Sequence, residues 1–211
     1  MEILSLKLKS KNNANVFICS TSLGGYELHS DVIVKSGIKV GDFDDDNFFS
    51  AVQQSSEIIA FNVATKYISS KLKTEQQIKD YLYKKDYYKQ TVEKVIEKLK
   101  EYKIIDDKNY AETYARSNPN FSKNKLKQKL FMSGVKSNIV EDSLDFVDDL
   151  SSCKKNAEKY LRNKIVDKQT IEKLIRRLQG MGYAWDTIKS TLNHLKCECE
   201  EWKKYEKLLN F

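Results

Sequence analysis

The chain has little that breaks a helix. Of its 211 residues, seven are glycine and one, Pro119, is proline. That scarcity excludes collagen-like and Pro/Gly-rich disordered architectures and suits helices joined by short connections. No apolar run reaches the roughly 18 residues of a transmembrane helix. The opening stretch, MEILSLKLKS, lacks the basic-then-apolar pattern of a secretory signal. With no such signal, Cys19, Cys153, Cys197 and Cys199 are expected as reduced thiols in a cytoplasmic protein. His194, Cys197 and Cys199 offer three metal donors on one helix, where a structural zinc site needs about four that converge. No metal or other cofactor is therefore expected. There is no glycine-rich phosphate loop and no nucleophile elbow. His29 and His194 fall in different modules. The acidic runs Asp44–Asp46 and Asp106–Asp107 stand where helix N-caps are needed, which explains them better than acid–base chemistry. The expectation is a protein that is not an enzyme.

What is present is a repeat. Thr74, Ile78, Leu82, Tyr87, Val92, Ile96 and Leu99 lie at helical spacings, with a break near Asp86–Tyr88. An offset of 48 gives Ser122, Leu126, Leu130, Val135, Val140, Leu144 and Val147. An offset of 96 gives Thr170, Leu174, Leu178, Tyr183, Ile188, Leu192 and Leu195. Apolar positions map onto apolar positions, and a hydroxyl residue opens each unit. Upstream, Ala64 and Tyr67 correspond to Ala111 and Tyr114, then to Ala157 and Tyr160, through a loop of variable length. Tyr67, Tyr114 and Tyr160 thus repeat with the fold, which assigns them to packing. A fixed period of this size signals tandem units that bury apolar faces partly on one another. Each unit alone is marginal by size.

Ahead of the repeats, residues 2–9 alternate as a strand, with Leu4, Leu6 and Leu8 on one face. Lys11–Asn12–Asn13 forms a turn, Val16–Cys19 a return strand, and Tyr26–Leu28 a third. Ser30 is placed to cap a short helix ending at Gly37. Asp44–Asp46 opens a long helix with the stripe Phe48, Val52, Ile59, Val63 and Tyr67, weakest at Ser55 or Ser56. Thr74 and Gln77 form a capping-box signature. A second-repeat third helix is expected over 137–148. Asp167 can cap the second helix of repeat three. Trp185 is expected to be buried, and a charged helical tail carries Trp202, Tyr205, Leu208 and Leu209. The fold class is mainly α: three tandem three-helix repeats in an elongated array behind a small N-terminal β module. The boundaries are 1–46, 47–103, 104–149 and 150–211.

Net charge is +7 and uneven. Residues 51–103 hold 11 basic and 7 acidic groups, and residues 151–211 hold 14 and 8. The other two segments are slightly acidic. A basic surplus on the helices suits an acidic partner, nucleic acid or protein, or simply a solvated lysine-rich surface. The candidate contact residues, chosen by charge and position, are Lys84, Lys85, Lys123, Lys125, Lys127, Lys129, Arg162, Arg176 and Arg177.

The middle unit, IIDDKNYAETYARSNPNFSKNKLKQKLFMSGV, resembles the RecX family of recombinase regulators. The matching residues are Ile105, Asp106, Asp107, Tyr110, Ala111, Tyr114, Ser122, Leu126, Leu130, Gly134 and Val135. The stretch ending TEQQIKDYLYKKDY is similar to that family's opening repeat, and RLQGMGYAWDTIKSTL to its closing one. The N-terminal module is similar to the extension of longer members. Asp86 departs from the pattern, standing where the family usually has glycine. Asn118 and Pro119 fall where an arginine-rich loop is common, and the tail after Leu195 is longer than the resemblance covers. The resemblance implies a monomeric regulator acting in recombination, DNA repair and the SOS response. It would lie in the groove of the RecA–single-stranded-DNA filament, bridge subunits, and impede ATP turnover, strand exchange and co-protease action. Single-stranded DNA would be a weak or indirect partner, and no membrane is involved. The alternatives are a stand-alone DNA-binding or transcriptional regulator, disfavoured by only four arginines, and a helical scaffold without a nucleic-acid role.

Overall fold

The computed structural model describes residues 1–10 and 14–198, with side chains as far as Leu195. The turn at Lys11–Asn12–Asn13 and the tail carrying Trp202, Tyr205, Leu208 and Leu209 lie outside the described residues. The chain divides into two compact units, Met1–Asp106 and Asp107–Phe211. Ten helices and four strands occur among the described residues.

In the first unit, β1 (Glu2–Leu8), β2 (Val16–Thr21), β3 (Gly24–His29) and β4 (Gly41–Asp42) form a sheet of order β3-β2-β1-β4. All pairings are antiparallel. A bulge between Ile3 and Ser5 shifts the register against β2. An extra residue of this kind changes which side chains face inward. Ile3 is fully buried, whereas Leu4 and Leu8, on the expected apolar face, are exposed. β4 has only two residues, too short for an alternating pattern to reveal.

Helix α1 (Ser30–Ser36) is capped by His29, not by Ser30: the His29 Nδ1 accepts from the Asp31 N–H at 3.3 Å. Helix α2 (Asp45–Ile68) starts at Asp44, whose carboxylate accepts from the Asn47 N–H at 2.9 Å. Its first half sends Phe48 and Ala51 into a core with Ile3, Cys19, Leu28 and Val32. Its second half sends Ala60 and Ala64 into the core of the first repeat, with Ile78, Leu82, Val92, Ile96 and Leu99. Ser55 lies between, buried, with its hydroxyl unpartnered. Helices α3 (Glu75–Tyr83) and α4 (Lys89–Glu101) complete the repeat, and the capping box of Thr74 and Gln77 is formed in both directions.

The second unit holds α5 (Asp107–Ser117), α6 (Lys123–Met132) and α7 (Ser137–Ser143), then α8 (Asp149–Leu161), α9 (Lys168–Gly180) and α10 (Trp185–Glu198). Each set of three has its own apolar core. Helix α7 stops five residues short of the expected 148, because the acidic residues beyond it serve other helix ends. Asp148 accepts from the Leu150 and Ser151 N–H groups and so starts α8. Asp149 accepts from the Lys123 N–H at 2.7 Å, at the start of α6. In the third repeat Asp167 is the cap, accepting from the Thr170 N–H at 2.7 Å. Thr170 therefore lies inside α9 and does not open it. Trp185 begins α10 and is 39% exposed, since its neighbour Tyr183 takes the buried place.

The second helix of every repeat ends in the same way. Asp86, Gly134 and Gly182, 48 residues apart, take positive φ of 62°, 82° and 88°. The following N–H groups reach back five residues: Tyr87 to the Leu82 carbonyl (3.3 Å), Val135 to Leu130 (3.1 Å) and Tyr183 to Leu178 (3.2 Å). This is the Schellman stop, which satisfies carbonyls that the helix leaves open and packs the residue after the stop on the last turn. Glycine suits it because a Cβ is strained at positive φ. At Gly182 a Cβ would also stand 2.7 Å from Ser122 Oγ and from Lys125 Cβ. Gly182→Ala should therefore cost about 2–4 kcal/mol in chemical denaturation. Asp86→Gly, which relieves strain but loosens the unfolded chain, should stay within about 1 kcal/mol of the parent or exceed it. Equal stability of Gly182→Ala and the parent would contradict this assignment.

Candidate functional site

The candidate cations fall into three settings. In the first unit, Lys84 is the C-cap of α3 and is exposed, with no ion pair among the described residues. Lys85 lies 5.4 Å from the Tyr81 ring centroid. Tyr81 stacks on Tyr67 at 4.0 Å, and Lys73 lies 4.5 Å from the Tyr67 ring on the same ladder. The repeat-borne tyrosine thus gathers cations as well as packing, since an aromatic face attracts an ammonium group.

On α6 the four alternating lysines diverge. Lys123 pairs with Asp145 (3.4 Å) and Lys127 with Glu141 (2.5 Å), so the acidic stretch around α7 neutralises that side of α6. Lys125 donates to the Gly180 carbonyl and lies 5.2 Å from the Phe121 ring. Lys129 is exposed and has no ion pair among the described residues. On the third repeat, Arg162 follows α8 and is exposed. Arg176 pairs loosely with Glu172 at 3.8 Å, one turn away. Arg177 and Lys164 both approach the Tyr160 ring, at 5.7 and 3.3 Å. Lys164 and Arg177 thus meet at Tyr160, in the C-terminal turn of α8 that Arg162 caps.

Repeat one spends other lysines internally. Glu57 pairs with Lys94 at 2.6 Å and Lys98 at 3.7 Å, and Glu75 with Lys79 at 2.6 Å and Lys100 at 2.5 Å. Burial alone would raise the Glu75 carboxyl pKa, but the Lys100 and Lys79 ammonium groups hold it below its ordinary value. Cys19 and Cys153 are buried, and burial pushes both thiols up.

Sequence reasoning missed the residues that join repeats two and three. The start of α6 meets the end of α9. Ser122 N–H donates to the Met181 carbonyl (3.0 Å), and Ser122 Oγ donates to the Gly182 carbonyl (2.6 Å). Donors at a helix start thereby satisfy carbonyls at a helix end, with the two dipoles aligned favourably. Beside them Tyr183 Oη donates to the Asn120 carbonyl at 3.1 Å and accepts from Asn156 Nδ2 at 3.0 Å. Asn156 was the available signal, because an amide on the inner face of an amphipathic helix requires a polar partner.

Fold and charge distribution together define a tandem three-helix-repeat protein with an N-terminal sheet. The family model "RecX, first three-helix domain" matches residues 60–99. The chain is 30% identical to "Regulatory protein RecX" of Clostridium botulinum (strain Alaska E43 / Type E3), over 90% of this chain and 92% of that protein. It is 29% identical to the Clostridium tetani (strain Massachusetts / E88) protein of the same name, over 92% and 94%. The solved structure "Crystal structure of RecX from Lactobacillus salivarius" is similar with a TM-score of 0.60 and 26% identity, over 67% of this chain and 97% of that one. "Crystal structure of regulatory protein RecX" has a TM-score of 0.62 at 20% identity, over 90% and 98%, a likeness of fold. The chain belongs to the RecX family. Its relatives are named regulatory proteins. Among the described residues no helix is long and apolar enough to cross a membrane.

The junction of repeats two and three yields a pH-dependent expectation. Burial pushes the Tyr183 hydroxyl up to about 12, opposed in part by its bond from Asn156. An unfolded tyrosine titrates near 10. The folded state therefore holds this proton more tightly. Its contribution is complete below about pH 10 and is lost as pH rises towards 12. Tyr183→Phe should cost about 1–2 kcal/mol at neutral pH and should flatten the alkaline loss in denaturation curves. An unchanged alkaline profile would contradict the assignment.

Proposed function

We propose that this chain is a monomeric, non-catalytic cytoplasmic regulator that docks in the groove of a RecA–single-stranded-DNA filament and inhibits recombinase, ATPase and co-protease activity. It works as four modules, 1–46, 47–103, 104–149 and 150–211. The observation that carries this reading is the recurrence of one helical unit, with its own core and the same left-handed stop, at a 48-residue spacing. A partner built of identical subunits offers a repeated surface to such repeated units. Several weak contacts on one chain then reinforce one another through effective concentration. Membership of a family of regulatory proteins supports it. The exposed cations Lys84, Lys129, Arg162, Arg176 and Arg177 are the proposed contacts, with Lys85 and Lys125 beside them. Lys123 and Lys127 contribute less, because Asp145 and Glu141 already neutralise them.

The experiment is titration of the protein into preformed RecA filaments, following ATP hydrolysis and strand exchange. Both should fall as protein is added, and Arg176→Glu with Arg177→Glu should weaken inhibition about tenfold or more, since charge reversal at an interface replaces attraction by repulsion. No effect of the folded parent chain on either activity would reject the reading. Tight, sequence-selective binding to duplex DNA without RecA would favour a stand-alone DNA-binding regulator instead.

A further inference from the structure

The first unit contains a cleft of about 840 Å³ that the repeat pattern does not require. It is bounded by the β2–β3 side of the sheet, α2, and the break between α3 and α4. Its volume lies within the range, about 300–1,000 Å³, of pockets that hold small ligands. Lys66, Lys84 and Lys85 line it, and none has an ion pair among the described residues. Lys9 also lines it but is paired with Glu27.

Two further lining residues depart from the sister repeats. Asp86 takes a strained positive φ of 62° where the other stops carry Gly134 and Gly182. Tyr88 is 83% exposed at a position filled by Lys136 and Ala184 in the other repeats. Neither substitution serves the helix stop, which glycine makes in the other two repeats. Local strain and an exposed aromatic, retained together at one cleft, are the marks of a binding site.

We propose that this cleft binds single-stranded nucleic acid, with Lys66, Lys84 and Lys85 on phosphates, Tyr88 stacked on a base, and Asp86 accepting from a base edge. A concave site admits a strand with splayed bases, whereas reading a duplex needs an element that protrudes into a groove. Lysines bind phosphate as point charges without fixing a sequence. An exposed tyrosine stacks on any base. A carboxylate among the lysines disfavours an acidic peptide but matches the amino and imino donors of bases. The inference rests on the filament reading, in which single-stranded DNA lies beside the protein, yet its test contains no recombinase. A negative result there removes the cleft and leaves the filament assay to stand or fall by itself.

The test is fluorescence anisotropy of the full chain with a labelled poly(dT) strand of about twenty nucleotides and with an abasic strand of equal length. The expected result is tighter binding to poly(dT) than to the abasic strand. Lys84→Ala with Lys85→Ala should weaken binding about tenfold and lower the log–log salt slope by roughly 1.4, since each phosphate contact on a single strand contributes about 0.7. Tyr88→Ala should erase about fivefold or more of the preference for bases. Lys136→Ala, an exposed lysine of the second repeat outside the cleft and outside the proposed filament contacts, should leave both unchanged. All four side chains are exposed, so melting curves should match the parent. The proposal is overturned if the cleft variants bind as the parent does or if Lys136→Ala weakens binding equally. It is also overturned if poly-glutamate displaces the strand as readily as unlabelled poly(dT), which would assign the cleft to an acidic protein segment.

Discussion

Every repeat depends on one backbone constraint: the chain must leave its second helix through a left-handed residue. That residue turns the chain so that the next side chain, Tyr87, Val135 or Tyr183, lies on the helix just ended. Only then do the second and third helices bring Leu82 to Val92, Leu130 to Val140 and Leu178 to Ile188 within one core. A right-handed residue there would continue the helix and carry the apolar stripe away from its partners. Two repeats meet the constraint with glycine. The first meets it with Asp86, a residue type whose short polar side chain enters the left-handed region more readily than most.

A second constraint is electrostatic. A lysine-rich helical surface would repel itself, and the fold places acidic groups against part of it. Glu57 and Glu75 do so in the first repeat, and Glu141 and Asp145 in the second. Formal charge counted along the sequence is therefore a poor map of the charge a partner meets. Among the candidate cations without a close acidic partner are Lys84 and Lys85 beside the first helix break, Lys129 on α6, and Arg162 and Arg177 on the third repeat. Exposed ion pairs contribute little stability individually, about 0–1 kcal/mol, so their larger consequence is to decide which lysines remain available.

The repeat was legible because its signal is periodic and threefold. Chance can align one amphipathic helix with another, but it does not also align the breaks. Of the aligned apolar positions, all are buried except Tyr87, Val147 and the three tyrosines Tyr67, Tyr114 and Tyr160, which pack at core margins. What escaped was local chemistry with several solutions. A side chain within a few residues of a helix start can cap it, so His29 took the place expected of Ser30, whereas the expected cap Asp167 is the one observed. A bulge leaves no mark in an alternating strand, so the buried face of β1 was not readable. Among the candidate cations, spacing placed Lys123 and Lys127 on one side of α6, yet only tertiary packing could show that Asp145 and Glu141 would face them. The cleft was equally hidden, since Lys66 and Lys84 are 18 residues apart and meet only through the fold.

The central functional claim is that the repeated helical units seat themselves on a repeated partner. The most direct measurement is an electron cryomicroscopy reconstruction of RecA on single-stranded DNA, formed with this protein in excess. The predicted result is density for three-helix units in the filament groove, with Arg162, Arg176 and Arg177 of the third repeat against the filament. Bare filaments under conditions where the protein remains folded would contradict it.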